Sequence, residues 1–459
     1  MNHCEKNKKN MTRKFVIQNE IENEFNHYSD ELDFNSIAEW IACGFFLGNN
    51  DFTKLKFGSK NDYKPKSKWF YSPRNITFKQ ACDEFSDIFE SIILNKVKNN
   101  NIVLPLSGGL DSRTLAASLL KKKNIRTYSY EFQDGIKETK YGKAISDAAG
   151  WDFQPFIIKR GYLWDKIDEL AQINLCQSDF THPRQMAVID KVAHFGDLLL
   201  HGQWGDVLFD LPKLNKKLSL QDQVEIIKSK IVKPGGLEFS KRLWEEWGLQ
   251  NNFDNELQNH INDLLLKINI DNPSRRIQAF KSLHWATRWA NPNLKIFSKY
   301  FKLFTPYYED EICNLICTLP DEYLMDRRIQ INYIKNKSKM LSKIPWQQYD
   351  LDLYKYQYFN NIYFPRRLYR YFKRSFQGKV LNHFPIIERN WELQFFGKLN
   401  EKNLKFWLFE NKKLNNIVSK ELIKEFFDKF KNQDPIKYSH PNSMLLTLSV
   451  WCEKFWKKK

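Results

Sequence analysis

The sequence predicts an α/β fold, a parallel sheet with helices on both faces, followed by a mostly helical C-terminal region. Two observations carry this prediction. Between residues 77 and 205, short apolar runs of strand length alternate with stretches whose apolar residues recur every three or four positions. The run at 102–106 is continuously apolar, which suits a strand buried on both faces, as the strands of parallel sheets are.

A strongly amphipathic pattern predicts a helix at 77–97, and a Ser-Gly-Gly break separates the strand at 102–106 from a helix at 114–120. Residues 212–279 and 404–456 are expected to be mostly helical, and 326–343 to form a basic helix. The remaining predicted strands are 125–132, 153–158 and 197–201, and the remaining helices 35–47, 137–149, 163–175 and 183–193.

The chain changes character twice, which predicts three regions. Residues 1–76 begin as a polar lead and then carry one helix and short segments broken by Pro65. Residues 77–345 hold the alternating strands and helices. Residues 346–459 are helical, basic and rich in aromatic residues, most densely at 354–376. That segment could bind single-stranded nucleic acid or an anionic membrane surface, but a plain helical subdomain is the favoured interpretation.

Composition excludes several classes of protein. Hydrophobic residues make up 42% of the chain and aromatic residues 15%, which is typical of globular proteins. No apolar run is long enough to span a membrane and the start resembles no secretory signal, so we expect a cytoplasmic protein. Seven scattered cysteines argue against a disulfide framework. The net charge of +18 suits polyanionic ligands, although a genome-wide lysine bias would produce it equally.

The break after the strand at 102–106 predicts a phosphate-binding loop. Two adjacent glycines let the backbone approach a ligand closely, and the first N–H groups of the next helix have no partner within it. Ser107 and Ser112 add hydroxyl donors, and Asp111 adds a carboxylate for Mg²⁺. The spacing differs from that of a Walker loop, so a kinase is not implied. The predicted nucleotide-binding residues are Leu106, Ser107, Gly108, Gly109, Leu110, Asp111 and Ser112.

Through Ser-Gly-Gly-Leu-Asp-Ser at 107–112, the chain resembles the ATP pyrophosphatase, or PP-loop, superfamily, and within it the synthetase domain of the asparagine synthetase family. The resemblance covers about residues 77–345 and implies an adenine nucleotide alpha hydrolase-like, ATP-binding domain. It further implies that ATP is cleaved between its α and β phosphates as a substrate carboxylate is adenylated. Ammonia or an amine then attacks the acyl-adenylate and gives an amide.

A second, partial match follows the strand at 197–201. The sequence Gly-Gln-Trp-Gly-Asp at 202–206 resembles the family signature Gly-Glu-Gly-Ala/Ser-Asp-Glu, which implies that Asp206 and Asp111 hold one Mg²⁺ against pyrophosphate. Gln203 and Val207 stand where the family has glutamates, and a glutamine cannot accept a proton. Trp204 replaces a small residue and is expected to reshape the acceptor pocket. We therefore expect a catalytic role for Gln203 with a product other than asparagine.

The resemblance alone assigns several further positions. It places Gly202 and Tyr130 at the nucleotide, with Tyr130 beside the adenine. The family also has a downstream lysine that neutralises leaving pyrophosphate. In this chain no lysine stands at the corresponding place near position 347. We assign that role to Lys339, with Lys335, Lys343 and Arg113 as alternatives.

The family's glutaminase activity is expected to be missing. It requires a cysteine at residue 2, and this chain has Asn2, with Cys4 close by. About a hundred residues precede the Ser107 loop, too few for a complete glutaminase domain and linker. Residues 1–76 are therefore interpreted as a remnant of such a domain, and the ammonia or amine would come from a separate source or partner protein.

These assignments predict an ATP-dependent, AMP-forming amide ligase that uses ATP and Mg²⁺, a carboxylate substrate and an ammonia or amine donor. Relatives that act on surface-glycan sugar acids or cyclise peptides to macrolactams supply analogies for the acceptor. Two alternatives stay open. One is a PP-loop enzyme that modifies tRNA, although the cysteine pairs of its thiolating members are absent. The other is a nucleotide-binding protein without turnover.

Overall fold

The computed structural model describes residues 28–55, 68–133, 135–180, 182–356, 358 and 394–456. Within them, five strands form one parallel sheet and two more form a separate antiparallel pair. The strands are β1 (Tyr28–Leu32), β2 (Thr53–Leu55), β3 (Ile102–Pro105), β4 (Ile125–Phe132), β5 (Asp152–Ile158), β6 (Leu198–Leu200) and β7 (Lys302–Phe304). The parallel sheet has the order β5-β4-β3-β6-β7. The predicted parallel sheet is confirmed, and β7 was not predicted because three residues are too few to show a period.

Helices supply most of the remaining structure. The first group of α-helices is α1 (Phe34–Cys43), α2 (Phe78–Val97), α3 (Leu110–Leu119), α4 (Thr139–Ala149), α5 (Tyr162–Asn174), α6 (Ile189–Val192), α7 (Gly205–Phe209), α8 (Leu220–Ile231), α9 (Gly236–Glu246) and α10 (Phe253–Leu266). The second group is α11 (Pro273–Phe280), α12 (Asn291–Lys295), α13 (Asp310–Thr318), α14 (Asp321–Leu324), α15 (Arg328–Lys337), α16 (Lys339–Lys343), α17 (Leu353–Tyr356), α18 (Lys398–Phe409), α19 (Lys420–Asn432) and α20 (Pro435–Lys454).

The sheet is buried on both faces. Neighbouring strand residues enter different hydrophobic clusters, Val103 and Leu199 in one and Ile102 and Leu198 in the other. α2 and α3 belong to the second cluster, whereas α5 and α20 belong to the first. The expectation of helices on both faces is therefore confirmed, as is the mostly helical C-terminal region in the part of it that the structure describes.

Local signals explain where the predicted helices differ from the observed ones. α2 starts where expected, because Thr77 and Gln80 form a capping box. α3 starts at Leu110 instead of 114, so the Ser107 loop runs straight into the first helical turn. The predicted basic helix is interrupted, since Ser338 ends α15 and caps α16. The predicted helix at 183–193 is a 3₁₀ turn at Arg184–Ala187 followed by α6.

The N-terminal helix α1 is built into the same core as the sheet. Backbone oxygens of two of its residues contact distant helices: His440 Nε2 lies 2.8 Å from Ile41 O, and Ser240 Oγ donates to Ala38 O at 2.8 Å. Trp40 Nε1 also donates to the oxygen of Gln177. α1 therefore connects α9, α20 and the segment after α5.

Between α11 and α12 the chain forms a ten-residue π-helix, Lys281–Ala290. π-helical turns are rare and concentrate at functional sites. Of the helices that the structure describes, none combines the length and the apolar composition needed to cross a membrane. Most of the basic aromatic segment at 354–376 lies outside the described residues.

Candidate functional site

The Ser107 loop joins β3 to α3 at the carboxyl edge of the sheet. Ser107 N donates to Ser112 Oγ at 3.1 Å, and Gly109 N donates to Ser107 Oγ at 3.3 Å. The two serine hydroxyls are 3.2 Å apart. Gly109 is the N-cap of α3, and no side chain caps this helix. The loop is therefore held in shape by its own hydroxyls, and the start of α3 is open to an anion.

Both leucines of the motif are part of the core. Leu106 is 3% exposed and Leu110 is 1% exposed, and Leu106 N donates to Tyr128 O at 2.8 Å. These residues can contribute to a nucleotide site only through their backbone.

Gly108 is covered by two side chains. A Cβ at this position would lie 2.5 Å from Gln347 Cβ and 2.9 Å from Tyr141 Cγ. Gln347 N donates to Gly108 O at 3.1 Å, and Gln347 Nε2 donates to Glu138 Oε1 at 2.8 Å. Gln347, which stands where the family lysine was expected, therefore bonds the loop through its backbone N–H, while its side chain covers Gly108 and bonds Glu138.

The structure brings Asp111 and Asp206 together. Asp206 N–H donates to the Asp111 carboxylate, and a Cβ on the neighbouring Gly205 would lie only 2.4 Å from Asp111 Oδ1. Burial raises the pKa of Asp111 to about 6; Arg327 opposes this shift and the negative charge of Asp206 adds to it. Asp206 itself is exposed at the first turn of α7. Two adjacent carboxylates of this kind require a cation between them or beside them.

Arg327 is the cation that contacts Asp111. Its Nη1 lies 3.0 Å from Asp111 Oδ1, and Gln330 Nε2 donates to the same oxygen at 2.9 Å. Both Asp326 and Arg327 have left-handed backbone conformations, with φ of 54° and 55°. Such strain is concentrated at functional sites. No sequence pattern reveals it, and reasoning from the sequence missed both Arg327 and Gln330.

The lysines proposed from sequence lie elsewhere. Lys339 is exposed at the first position of α16, and Lys343 is exposed at its end. The ammonium group of Lys335 lies 4.9 Å from the ring centroid of Tyr354. The structure therefore does not bring any of these three into contact with Asp111.

Lys281, at the start of the π-helix, is a second cation that the sequence did not single out. Its ammonium group lies 5.6 Å from the Trp285 ring centroid. Burial lowers the pKa of Lys281, and Asp206 opposes that shift. Lys281 is thus electrostatically coupled to the exposed carboxylate of the candidate site.

Arg113 does not face the loop's ligand side. It is fully buried, and its guanidinium donates to four backbone oxygens. These are Ile344 O at 2.7 Å, Pro345 O at 2.9 Å, Gly108 O at 3.3 Å and Leu341 O at 3.3 Å. Its donors bind the loop to the segment 341–345, and its alternative assignment as a pyrophosphate-neutralising cation stays a prediction.

The second signature forms a tight turn. Gln203 N donates to His201 Nδ1 at 3.1 Å, and Trp204 has a φ of 79°. The Trp204 ring stacks on Tyr308 with centroids 6.0 Å apart, and its Nε1 donates to Ser282 Oγ. Val207 is buried in the core where the family has a glutamate. Trp204 borders a cavity of about 390 Å³ whose wall includes Ser282, Thr287, Asn291 and Tyr308.

Gly202 and Tyr130, which were assigned to the nucleotide site by resemblance alone, lie beside the Ser107 loop and on the strand next to β3. A Cβ at Gly202 would lie 3.1 Å from Ser112 N, so the second signature rests against the start of α3. Tyr130 is on β4 and partly buried, with its ring edge-to-face on Phe132. The structure thus places Gly202 at the loop and Tyr130 on the neighbouring strand.

The donor set fits Mg²⁺ carried by a polyphosphate. In the described parts of the chain, no group of three His, Cys, Asp or Glu side chains is arranged to hold a metal ion. Mg²⁺ is commonly bound by one or two carboxylates, with water and phosphate oxygens completing its shell. The pair Asp111 and Asp206 meets that requirement. Six described cysteines, including Cys313 and Cys317, are buried thiols.

Comparison with known families agrees with this geometry. Residues 95–299 match the family model of asparagine synthase. The matched segment contains both the Ser107 loop and Asp206, whereas Arg327 lies beyond it. In general terms, the match supports an ATP-dependent, amide-forming ligase.

No curated protein matches the sequence. Among solved structures, NMN synthetase from Francisella tularensis is similar with 13% identity and a TM-score of 0.22, over 45% of this chain and 93% of that one.

Proposed function

We propose that this protein is an ATP-dependent, AMP-forming ligase that adenylates a carboxylate and passes it to ammonia or an amine. The observation that carries the proposal is the meeting of Asp111 and Asp206 at the open start of α3. The match of residues 95–299 to the asparagine synthase family model supports the same chemistry.

The chain's own groups suit the first step. N–H groups at the start of α3 and the hydroxyls of Ser107 and Ser112 would bind phosphate oxygens. A carboxylate oxygen attacks the α-phosphorus, the bond from that phosphorus to the bridging oxygen breaks, and pyrophosphate leaves. Arg327 and Lys281 would neutralise the departing charge. Mg²⁺, held by Asp111 and Asp206 when it arrives with ATP, would supply further neutralisation.

In the second step an amine or ammonia attacks, and Gln203 cannot act as the base that deprotonates it. The amine nitrogen attacks the acyl carbon, the bond to AMP breaks, and a proton leaves the nitrogen. Gln203 can orient the amine by hydrogen bonding but cannot accept that proton. The amine would therefore arrive neutral, from a separate source, and lose its proton to water. The large Trp204 side chain takes up space in the acceptor pocket beside Gln203. This difference from the family favours a product other than asparagine.

The experiment is pyrophosphate release from Mg²⁺-ATP in the presence of a panel of carboxylates, including amino acids, sugar acids and peptides. We expect release that depends on one class of carboxylate, with AMP formed in equal amount. Asp111→Asn should lower the rate about 100-fold or more, since losing a metal carboxylate removes several kcal/mol of charge stabilisation. The matched control is Asp263→Asn, at an exposed position of α10.

Three results would contradict the proposal. Wild-type turnover in Asp111→Asn would exclude the metal assignment. Tight ATP binding without pyrophosphate for any carboxylate would favour a nucleotide-binding protein without turnover. Steeply salt-dependent tRNA binding, with tRNA-dependent pyrophosphate release, would favour a tRNA-modifying enzyme.

A further inference from the structure

A cavity of about 390 Å³ lies beside the second signature, against the edge strand β7. Phe304 and Thr305, at the carboxyl end of that strand, form part of its wall, and His201 N donates to Phe304 O at 2.9 Å from the end of β6. Ligands of parallel sheets bind beyond this edge. The cavity opens to solvent, because three residues of its wall are exposed, namely Lys96, Asn291 and Lys295.

The π-helix connects this cavity to the candidate adenylation site. Lys281, its first residue, is electrostatically coupled to Asp206, and the next residue, Ser282, lines the cavity. Trp204, which comes shortly before Asp206 in the chain, forms another part of the wall. An acceptor whose carboxylate lies at Asp206 and Lys281 can therefore extend its remaining part along Trp204 into the cavity.

The wall is largely aromatic and apolar. The rings of Trp204 and Tyr308 stack with an interplanar angle of 17°, and the apolar part is completed by Trp69, Leu294, Leu303 and Phe304. An apolar cavity of roughly 150 Å³ is enough to hold benzene. The cavity beside Trp204 therefore has room for an aromatic ring that carries a substituent.

The polar groups of the wall are few. The hydroxyls of Ser282 and Thr287 already donate to backbone oxygens one turn back. Asn291 and Thr305 add an amide and a hydroxyl, and the Thr305 side chain does not cap the turn that follows it. Such a wall suits a ring with one polar substituent, because each buried hydroxyl of a polyhydroxylated ring would need a hydrogen-bond partner of its own.

The charges of the wall favour an acid. Lys96 and Lys295 are its cations and Glu309 is its carboxylate, so the mouth of the cavity carries a net positive charge. A positive field of this kind attracts anionic ligands.

We propose that this cavity receives the part of the acceptor that does not react, and that the acceptor is an aromatic carboxylate with a hydroxyl group on its ring. The inference rests on the proposed function and names its substrate class. The carboxylate would lie at Asp206 and Lys281, and the ring would pack against Trp204. The ring hydroxyl would bond at Asn291 and Thr305.

The test compares four acids, namely acetate, phenylacetate, para-hydroxyphenylacetate and glucuronate. Binding is measured by calorimetry with Mg²⁺ and a non-hydrolysable ATP analogue. We expect phenylacetate to bind about tenfold more tightly than acetate, because its ring is removed from water. The hydroxyl of para-hydroxyphenylacetate should add about fivefold. Glucuronate should bind no more tightly than acetate.

Two variants and one control locate the effect. Thr287→Phe should fill the cavity with a ring and weaken phenylacetate binding about tenfold, while binding of acetate and the ATP analogue stays as in the wild type. Asn291→Leu combined with Thr305→Val keeps the volume of the wall and removes its polar groups. This double variant should lose the gain from the hydroxyl and bind phenylacetate as before. Asn259→Leu, at an exposed position of α10, is the control.

The inference is overturned if the wild type binds acetate and phenylacetate equally, binds none of the four acids, or prefers glucuronate to both aromatic acids. It is also overturned if the double variant keeps the full gain from the hydroxyl, or if a folded Thr287→Phe binds phenylacetate as the wild type does. Thermal unfolding of each variant shows whether the fold is retained.

Because binding is measured without turnover, the two proposals can fail separately. Selective binding of aromatic acids without any carboxylate-dependent pyrophosphate would retain the aromatic cavity as an acid-binding site and refute the ligase. Pyrophosphate release that does not distinguish acetate from phenylacetate would do the reverse.

Discussion

Gly205 shows how closely the two candidate metal carboxylates are packed. A Cβ at this position would lie 2.4 Å from Asp111 Oδ1 and 2.6 Å from Asp111 Cγ. The conflict is one of space, because the backbone at Gly205 is helical. The glycine before Asp206 therefore lets α7 begin directly against the start of α3.

We expect Gly205→Ala to lower carboxylate-dependent pyrophosphate release at least tenfold, because the new methyl group displaces the Asp111 carboxylate. Overpacking of this kind typically costs about 1–3 kcal/mol of stability, so the variant should still fold. Turnover and thermal unfolding are measured on the same preparation. Wild-type turnover would show that the Asp111 carboxylate needs no fixed position.

At the residue scale, part of the site could be predicted from sequence. Asp111 and Asp206 each follow a strand, and the carboxyl ends of parallel strands meet at one edge, so their proximity could be expected. Arg327 could not be predicted, because it reaches Asp111 across 216 positions and through a left-handed backbone. The assignment of Lys339 depended on the family's downstream lysine, and its role remains a prediction.

At the scale of elements, Arg113 connects the phosphate-binding loop to the segment that covers it. Its guanidinium is fully buried and donates to Gly108 O as well as to backbone oxygens of residues 341–345. Burial lowers its pKa to about 10, which still leaves it charged near pH 7. The loop and the α16 segment are thereby fixed relative to each other.

Arg113→Met should destabilise the protein by about 3 kcal/mol, because hydrogen bonds from a charged donor contribute about 1.5–3 kcal/mol and their buried acceptors would lose their partner. The measurement is the free energy of unfolding in denaturant, with the KM for ATP as a second readout. Arg126→Met, at an exposed position of β4, is the control. Equal stability of the two variants would exclude the connecting role.

Element boundaries were predictable where a local signal sets them. Thr77 and Gln80 mark the start of α2, and the Ser-Gly-Gly break marks the end of β3. The π-helix was not predictable, because its amphipathic pattern resembles that of an α-helix and its hydrogen bonds depend on tertiary packing. The same holds for β7, which is recognised only by its pairing with β6.

At the scale of the whole molecule, several histidines are buried in neutral form. Burial lowers the pKa values of His201 and His440 from 6.5 to about 4. The unfolded chain therefore binds protons between these values while the folded chain does not. The free energy of unfolding must therefore fall as the pH falls through that window. Each such histidine lowers it by on the order of 3 kcal/mol.

We expect the free energy of unfolding to decrease steadily from about pH 6.5 to pH 4. His440→Gln should reduce that slope, because it removes one group that titrates only in the unfolded chain. His194→Gln, at an exposed position, should leave it unchanged. Unfolding curves at half-unit pH intervals give the slopes, and identical slopes for all three proteins would contradict the explanation.

The fold class could be predicted for the whole molecule because alternating strands and helices leave few arrangements open. The position of α1 in the core could not be predicted from the sequence. Its contacts with Ser240 and His440 join positions far apart in the chain, and no local pattern in residues 34–43 specifies which surfaces cover them.

That position of α1 also constrains the order in which the protein can form. The contact between Ile41 and His440 spans 399 positions, so α1 leaves the ribosome long before α20 exists. Contacts of such separation slow folding. During synthesis, α9 is available to α1 earlier, whereas the contact of α1 with His440 cannot form until α20 has been translated.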